Sequence, residues 1–295
     1  MGLLRLIAGG LAITIALGTA GIVVACMLFA GDIAADLARL TAAARSPATI
    51  VTEAMLAALP PPAQRYLRQA GVVGKPIPTI VRLTQTGRIR ASADAAWMAF
   101  EADETCSTSP PAFVWRAWLP GRMLPVALGR DEYLEGKGSI LIKLLGLVPL
   151  ADAHGDELAA AGLMRYLNES MWFPSVLLAT GVSISPAGPD AFRAVLTDHG
   201  RTAEALFFVD AAGRLTNFRA QRFNTATQRL ETWETPIGGY LQRIAAARLR
   251  HRDLETARRR PRLYRPHDRQ PDLRLACPGA CLRREREPHR LRAFP

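Results

Sequence analysis

The residues best suited to catalysis or metal binding lie in the segment Asp152-Ala-His154-Gly-Asp156, where two carboxylates flank an imidazole. Carboxylate oxygens and a histidine nitrogen can bind a metal, and the same groups can transfer protons. A turn that caps a following helix explains the same residues, since Asp156 suits an N-cap and Glu157 suits the positive end of a helix dipole. His199, the other histidine before residue 240, is distant in sequence. We therefore expect neither a metal nor a cofactor.

Other sequence motifs for catalysis are weak. Gly136-Lys-Gly138 lacks the third glycine of a dinucleotide-binding loop, and residues 32–240 contain no Gly-x-Ser-x-Gly elbow, no phosphate loop and no His-Glu-x-x-His pair. Cys277-Pro-Gly-Ala-Cys281 has a spacing of three without a second cysteine pair nearby, which is a poor zinc site. No motif names a reaction, so the sequence favours a binding protein over an enzyme.

Aromatic residues are the stronger candidates for a binding site. Trp97, Phe113 and Trp115 fall on neighbouring predicted strands, and Trp115 and Trp118 must point to opposite faces because side chains alternate along a strand. Ordinary core packing explains these aromatics, and a hydrophobic groove between a sheet and the helix at 156–171 is the alternative. The candidate ligand-binding residues are Trp97, Phe100, Phe113, Trp115, Tyr133, Tyr166, Trp172 and Phe173.

The run from Leu6 to Gly31 contains no charged side chain. It determines where the candidate binding residues lie relative to a membrane. A helix needs about 20 apolar residues to cross a bilayer, whereas the apolar core of a cleavable signal has only about 7–15. We expect residues 1–31 to form an uncleaved transmembrane signal anchor. Lipoprotein processing at Cys26 and a buried helix of a globular core are the alternatives. The first conflicts with the apolar residues 27–30 after the cysteine, and the second lacks a partner helix of comparable length.

The flanking charges leave the orientation of this span open, because Arg5 precedes it and two arginines and two aspartates follow it. A short N-terminus leading directly into an apolar run is typical of an export signal. We therefore expect a single-pass protein of the cytoplasmic membrane whose domain faces the periplasm or the cell exterior. Cys106 is the only thiol between the span and residue 276, which is compatible with that location.

The basic charge of the chain belongs to its last 55 residues. Residues 1–240 contain 21 Lys and Arg against 20 Asp and Glu, a net charge of +1, whereas residues 241–295 contain 16 Arg against 6 acids, a net charge of +10. This Arg/Pro-rich tail has no Val or Trp and cannot bury enough apolar surface to fold. A reading-frame error in a GC-rich gene is the favoured explanation, and a natural disordered tail and a functional basic arm are the alternatives. We expect no nucleic-acid partner.

From residue 79 to residue 240 the sequence predicts an antiparallel β domain. Val81, Leu83 and Ile89 alternate with polar residues, as in a half-buried strand. Similar segments follow at intervals of about 8–12 residues, separated by turns, which favours an antiparallel sheet or an open barrel. These segments are 96–105, 112–119, 130–135, 139–147, 182–185, 192–197, 202–209, 215–223 and 229–233.

Short helices are predicted before and within this domain. The juxtamembrane segment 32–78 has Ala- and Leu-rich stretches at 34–44, 52–59 and 63–70. Residues 156–171 interrupt the strands with an apolar stripe that includes Leu163 and Tyr166, and Trp172-Phe-Pro174 ends that helix. We expect a helix packed on the sheet, with a lid over a pocket or a membrane-facing element as the alternative.

An ordered series of blocks resembles an uncharacterised bacterial and archaeal family of the DUF6544/DUF6920 type over about residues 55–240. The resemblance implies a β-rich extracytoplasmic domain, similar in fold to lipoprotein carriers of the LolA/LolB class. It supplies no catalytic residues, and this chain departs from the family pattern after Tyr240. The blocks are Leu59-Pro-Pro-Pro-Ala-Gln-Arg-Tyr-Leu67, Gly71-Val-Val-Gly74, Gly129-Arg-Asp-Glu-Tyr133, Gly136-Lys-Gly138, Lys143-Leu-Leu-Gly-Leu-Val-Pro149, Arg165-Tyr-Leu-Asn-Glu169 and Trp172-Phe-Pro-Ser175.

Together these features predict an N-terminal transmembrane helix followed by an α+β domain, mostly an antiparallel sheet in an open or half barrel with a packed helical insertion. We expect a protein anchored in the membrane through residues 6–31 that binds a lipid-like or other apolar ligand. A ligand-free interaction scaffold is the alternative, and a hydrolase is the third.

Overall fold

The computed structural model of the protein describes residues 2–46, 49–90, 95–121, 125–224 and 229–238. The tail at 241–295, to which the three explanations above refer, lies outside the described residues. Within the described part, a long N-terminal helix and two short helices precede two antiparallel sheets, and a fourth helix connects the sheets. The predicted fold class is therefore confirmed.

The first helix, α1 (Gly2–Ala43), is continuous over 42 residues. Its most apolar 18-residue window has a mean hydropathy of 2.4, and none of that window is buried against the rest of the chain. Among the described residues, α1 is the one helix long and apolar enough to cross a membrane. The prediction of a separate helix at 34–44 was wrong, because no proline interrupts residues 2–43 and α1 simply continues.

Each sheet is a meander in which consecutive strands pair antiparallel. The order of strands in each sheet follows the chain, and neither sheet closes into a barrel within the described residues. Sheet 1 contains β1 (Ile80–Ile89), β2 (Met98–Thr108), β3 (Pro111–Leu119), β4 (Ala127–Leu134), β5 (Lys137–Leu144) and β6 (Val148–Gly155). Sheet 2 contains β7 (Val182–Pro186), β8 (Ala191–Asp198), β9 (Arg201–Val209), β10 (Leu215–Asn224) and β11 (Arg229–Pro236).

Strand β6 was not predicted, and the expected helix cap at Asp156 is also corrected. Asp152 and His154 lie on β6, whose residues are almost all exposed because it is the edge strand of sheet 1. An edge strand with two solvated faces has no alternation of apolar and polar residues, so its sequence resembles a turn. Gly155 occupies the N-cap position of the following helix, and Asp156 is the first helical residue.

The C-terminal half of α1 packs on the outer face of sheet 1. Phe29, Ile33 and Leu40 are buried there in a small apolar cluster that includes side chains of β3 and β4. Asp36 accepts a hydrogen bond of 2.7 Å from Arg130 on β4. The exposed apolar part of α1 and its packed part are therefore two halves of one rigid helix.

Two short helices precede β1, and the second of them packs on sheet 2. In α2 (Glu53–Ala57), the Thr52 hydroxyl caps the helix by accepting from the backbone N–H of Met55 at 3.3 Å. Proline in the first turn of α3 (Pro61–Gln69) suits the start of a helix. Tyr66 on α3 lies 6.1 Å from the Phe192 ring on β8, so α3 closes the core of sheet 2.

The inserted helix α4 (Asp156–Glu169) lies between the two sheets, and eleven of its fourteen residues are buried. The sequence predicted one apolar stripe on this helix. The helix is in fact buried on two sides, because it packs against both sheets. A Cβ at Gly138 on β5 would lie 2.2 Å from the carbonyl oxygen of Leu158, so only glycine permits this approach of helix and strand. The helix end at Glu169 was predicted at residue 171, and a 3₁₀ helix (Pro174–Leu178) leads on to sheet 2.

Candidate ligand cavity

A cavity of about 90 Å³ lies between the inner face of sheet 1, α4 and the strands β10 and β11. Alternation along β3 directs Trp115, Ala117 and Leu119 toward it and places Trp118 on the outer face. The walls are mostly apolar, and charged side chains of α4 and β4 form one end. The lining residues are Ile89, Trp115, Ala117, Leu119, Gly129, Arg130, Asp131, Ile140, Ile142, Arg165, Glu169, Arg222 and Trp233.

At the charged end of the cavity lies a set of four residues, here called the Arg165 cluster: Arg165, Glu104 and Glu169, which are buried, and Asp131, which is half-buried. The guanidinium donates to Asp131 at 2.5 Å and to Glu169 at 3.3 Å. Its Nη2 lies 3.5 Å from Oε1 of Glu104, close enough for an ion pair but without a hydrogen bond. The cluster therefore ties α4 to β2 and β4 through one arginine.

Aromatic rings enclose the guanidinium of Arg165. Its Cζ lies 4.8 Å from the ring centroid of Phe113 and 4.9 Å from that of Trp115. A cation over an aromatic face is attracted by the ring quadrupole, more strongly when water is excluded. Glu104 and Glu169 are themselves buried, which strengthens the charge interactions and raises the cost of an unpaired charge.

A chain of hydrogen bonds fixes the carboxylates. The indole N–H of Trp115 donates to Oε1 of Gln85 at 2.9 Å, and the amide of Gln85 donates to Oε2 of Glu104 at 2.9 Å. On the other side, the indole N–H of Trp172 donates to Glu169 at 2.7 Å. Two tryptophans thus orient the two most buried carboxyl groups.

Three carboxyl groups surround a single guanidinium, so the cluster has an excess of two negative charges if all are ionised. Burial raises the pKa of Glu104 well above its usual range, the charge of Glu169 raises it further, and Arg165 lowers it. Burial also raises the pKa of Glu169, while Arg165 and the hydrogen bond from Trp172 lower it. Glu104 is therefore the carboxyl group that keeps its proton most readily.

We expect Glu104→Gln to flatten the dependence of stability on pH. A raised pKa in the folded protein means that this carboxyl stabilises the fold fully below its unfolded pKa of about 4.3 and loses that contribution as pH rises toward the folded pKa. Glutamine cannot ionise, so the variant should gain on the wild type by up to about 1.4 kcal/mol per pH unit in that window. Urea unfolding of the full chain in detergent, at pH 4 to 8, measures this.

The control for this prediction is Glu204→Gln, because Glu204 forms an exposed ion pair with Arg193 at 3.3 Å. Exposed pairs of this kind contribute about 0–1 kcal/mol, so the free energy of unfolding of this variant should stay close to that of the wild type. A curve for the Glu104 variant that runs parallel to that of the wild type would mean that Glu104 ionises as it does in the unfolded chain.

Of the eight predicted aromatic residues, Trp115 lines the cavity. The others surround it or belong to the core. Phe100 packs against Trp115 at 5.9 Å between ring centroids, and Tyr166 packs against Phe173 at 5.9 Å. Trp97 and Trp172 are half-buried, and Phe100, Phe113, Tyr133, Tyr166 and Phe173 are fully enclosed side chains of the core.

Reasoning from the sequence missed the Arg165 cluster. Glu104 lies in phase with the buried residues Phe100 and Ala102 of β2, and this charge on an otherwise apolar strand face was the signal that could have revealed it. Arg165 and Glu169 have the spacing of four that places side chains on one helix face. The contact of Arg165 with Asp131 depends on how α4 packs against β4, which the sequence pattern does not show.

The predicted metal candidates do not come together. Asp152 and His154 are exposed on β6, while His199 lies beside Asp198, with Nδ1 2.9 Å from the carboxylate. Tyr133 also donates to Asp198 at 2.6 Å. In the part of the chain that the structure describes, no group of three or more His, Cys, Asp or Glu side chains could hold a metal ion. Cys277 and Cys281 lie outside that part.

A second recess, of about 280 Å³, lies on the opposite face of sheet 1 between that sheet and α1. Its walls include Cys26, Phe29, Trp118 and Leu128. Because α1 itself forms one wall, this recess belongs to the attachment of the helix rather than to the space between the sheets.

Searches of the curated proteins and of the solved structures returned no match. The predicted likeness to the LolA/LolB carriers accordingly stays a prediction. A family model, described as a family of unknown function (DUF6544), matches residues 49–251. The match begins after α1 and includes both sheets and α4. It ends at residue 251, beyond Tyr240, after which the chain was expected to depart from the family pattern. The chain therefore belongs to the DUF6544 family.

Proposed function

We propose that this protein is anchored in the cytoplasmic membrane by α1, with its domain outside the cytoplasm, and that it binds the apolar chain of a lipid-like ligand between its two sheets. The observation that carries the proposal is the cavity, whose walls come from apolar side chains of both sheets. The length and hydropathy of α1 support the anchor.

The charge of the cavity indicates which part of a ligand would enter. Arg165 lies at its polar end and is already paired with Asp131, Glu169 and Glu104, so these carboxyl groups compete with an anionic head group for that guanidinium. The walls at Ile89, Leu119 and Ile142 suit methylene groups, each of which contributes about 0.8 kcal/mol when buried. An apolar chain therefore enters, and its head group stays outside.

The size of the cavity requires some rearrangement. A cavity of about 150 Å³ holds benzene in another protein, whereas the space here is about 90 Å³. A longer chain must displace lining side chains, and Arg222, half-buried over the Trp233 ring at 4.9 Å, is long enough to move. The small volume is also the observation that favours the alternative function, a scaffold with a filled core and no ligand.

Uptake of a fatty acid tests the proposal. The delipidated full chain, incubated with a single fatty acid and analysed by native mass spectrometry, should gain the mass of that acid. Ala117→Phe should weaken binding by about tenfold or more, because its six-carbon ring displaces at least two methylene groups of the ligand, at about 0.8 kcal/mol each. Ala160→Phe, at an exposed position near the start of α4, is the matched control and should bind normally.

Two results would contradict binding in this cavity. If the wild type is recovered without lipid and takes up no fatty acid, the scaffold is the better explanation. If Ala117→Phe binds as well as the wild type, the ligand occupies another surface.

A further inference from the structure

One end of sheet 1 lies beside the point where α1 leaves the domain. The Cys26 thiol on α1 lies 3.8 Å from the carbonyl oxygen of Leu145, and a Cβ at Gly146 would lie 3.1 Å from the Cys26 backbone nitrogen. The turn between β5 and β6 therefore rests against α1 at Cys26. The register pairs Leu144 with Val148 and with Ala127, so the connections β3–β4 and β5–β6 share this end. We call it the proximal end.

Exposed apolar side chains concentrate at the proximal end. Outside α1, the described residues include eight large hydrophobic side chains that are exposed, and six of them lie here, between 36% and 59% exposed. Scattered single hydrophobic residues are normal on a protein surface, but a contiguous group marks an interaction site. The six, here called the apolar rim, are Met98, Val126, Leu144, Leu147, Val148 and Leu150.

The length of α1 places the rim at a membrane surface. A helix rises about 1.5 Å per residue, so the segment from Leu6 to Cys26 spans the roughly 30 Å of a hydrocarbon core. When one end of this segment is at one interface, Cys26 reaches the other. The β5–β6 turn, which rests on Cys26, then lies at the depth of the second interface.

Aromatic and basic side chains at the same end suit that depth. Trp118 on the outer face has the guanidinium of Arg116 5.4 Å from its ring, and Nζ of Lys143 lies 5.5 Å from the Phe29 ring on α1. Tryptophan is enriched at membrane interfaces, and lysine and arginine side chains extend from apolar surroundings toward head groups. The proximal end thus combines an apolar tip with an aromatic and basic border.

We propose that the apolar rim inserts into the membrane interface and makes a second contact with the bilayer beside α1. Three cavity-lining residues lie at this same end, since Ile89 and Leu119 are the last residues of β1 and β3 and Ile142 is near the end of β5. This part of the proposal rests on the proposed function: the rim holds this end of the ligand cavity at the lipid surface. A ligand then passes from the bilayer to the cavity without crossing water.

Spin labels at single cysteines in the full chain test the insertion. The background carries Cys26→Ser, Cys277→Ser and Cys281→Ser, and it keeps Cys106, which is buried and whose thiol pKa is raised by burial, so the label does not reach it. Labels go to Leu147→Cys on the rim, Lys137→Cys at the opposite end of sheet 1, and Leu11→Cys within the span. Vesicles of phosphatidylcholine alone avoid electrostatic attraction of the Arg-rich tail.

Collisions with oxygen report lipid, and collisions with a water-soluble nickel complex report water. The label at 147 should lose most of its nickel collisions in vesicles, as the label at 11 does, while the label at 137 keeps them. If 147 behaves like 137 while 11 is in lipid, the rim proposal is overturned and the anchor stands. If 11 and 147 both remain in water, the anchor fails and the rim proposal fails with it.

Self-association of the rim is distinguished in the same experiment. Dipolar broadening between labels at 147 on two copies, without increased oxygen collisions, would assign the rim to a protein contact and overturn the proposal. None of these readouts depends on a ligand in the cavity, so failure of fatty-acid uptake is recognised separately.

Discussion

Replacing Arg165 by methionine is expected to lower the free energy of unfolding by about 3–5 kcal/mol, because it leaves two buried carboxyl groups and the half-buried Asp131 without their cation. The variant also lacks the contacts of the guanidinium with the rings of Phe113 and Trp115, and the methionine thioether replaces them only in part. Denaturant unfolding of the full chain in detergent, followed by tryptophan fluorescence, measures the change. Trp115 and Trp172 report directly on the cluster through their hydrogen-bonded partners.

The control is Arg193→Met, because Arg193 and Glu204 form an ion pair in which both side chains are about half exposed. Such pairs contribute about 0–1 kcal/mol, so this variant should unfold almost as the wild type does. Adding Glu104→Gln to the Arg165 variant should recover part of the loss, since one uncompensated carboxyl is removed. Equal stabilities of the Arg165 and Arg193 variants would show that the cluster is not a significant source of stability.

Deleting residues 2–24 is expected to move nearly all of the protein from the membrane pellet to the soluble fraction. The deletion removes an apolar segment long enough to span a bilayer, and the rim by itself presents too few side chains for stable anchoring. The deletion stops at residue 24 because Phe29, Ile33 and Leu40 are buried on sheet 1. Fractionation followed by a high-salt wash, which removes peripheral attachment, measures the distribution.

Deleting residues 2–31 provides the comparison for this boundary. Both deletions should release the protein, but the longer one also removes Phe29 and should lower stability, since loss of a buried phenylalanine side chain costs about 3–5 kcal/mol. Equal stability of the two truncated proteins would mean that α1 does not depend on Phe29 for its packing. If the shorter deletion still pellets, a surface other than the span holds the protein in the membrane.

The sequence by itself determined the parts of this protein that depend on neighbouring residues. An uncharged run such as Leu6 to Gly31 indicates a membrane-spanning helix, because side chains that are apolar on every face need an apolar solvent. Alternation at Val81, Leu83 and Ile89 predicted β1 for a similar reason, since one face of that strand meets a core. Strand β6 was not predicted, because it is an edge strand with both faces in water and so shows no such alternation.

Only the tertiary structure decided which distant residues meet. The Arg165 cluster combines side chains from β2, β4 and α4, and the cavity adds residues of β1, β10 and β11, which are as far apart in sequence as Ile89 and Trp233. The apolar rim likewise depends on the packing of α1 along sheet 1, which brings Cys26 to Leu145. Periodicity reports which face of an element is buried, whereas the partner across that face is fixed by how whole elements pack.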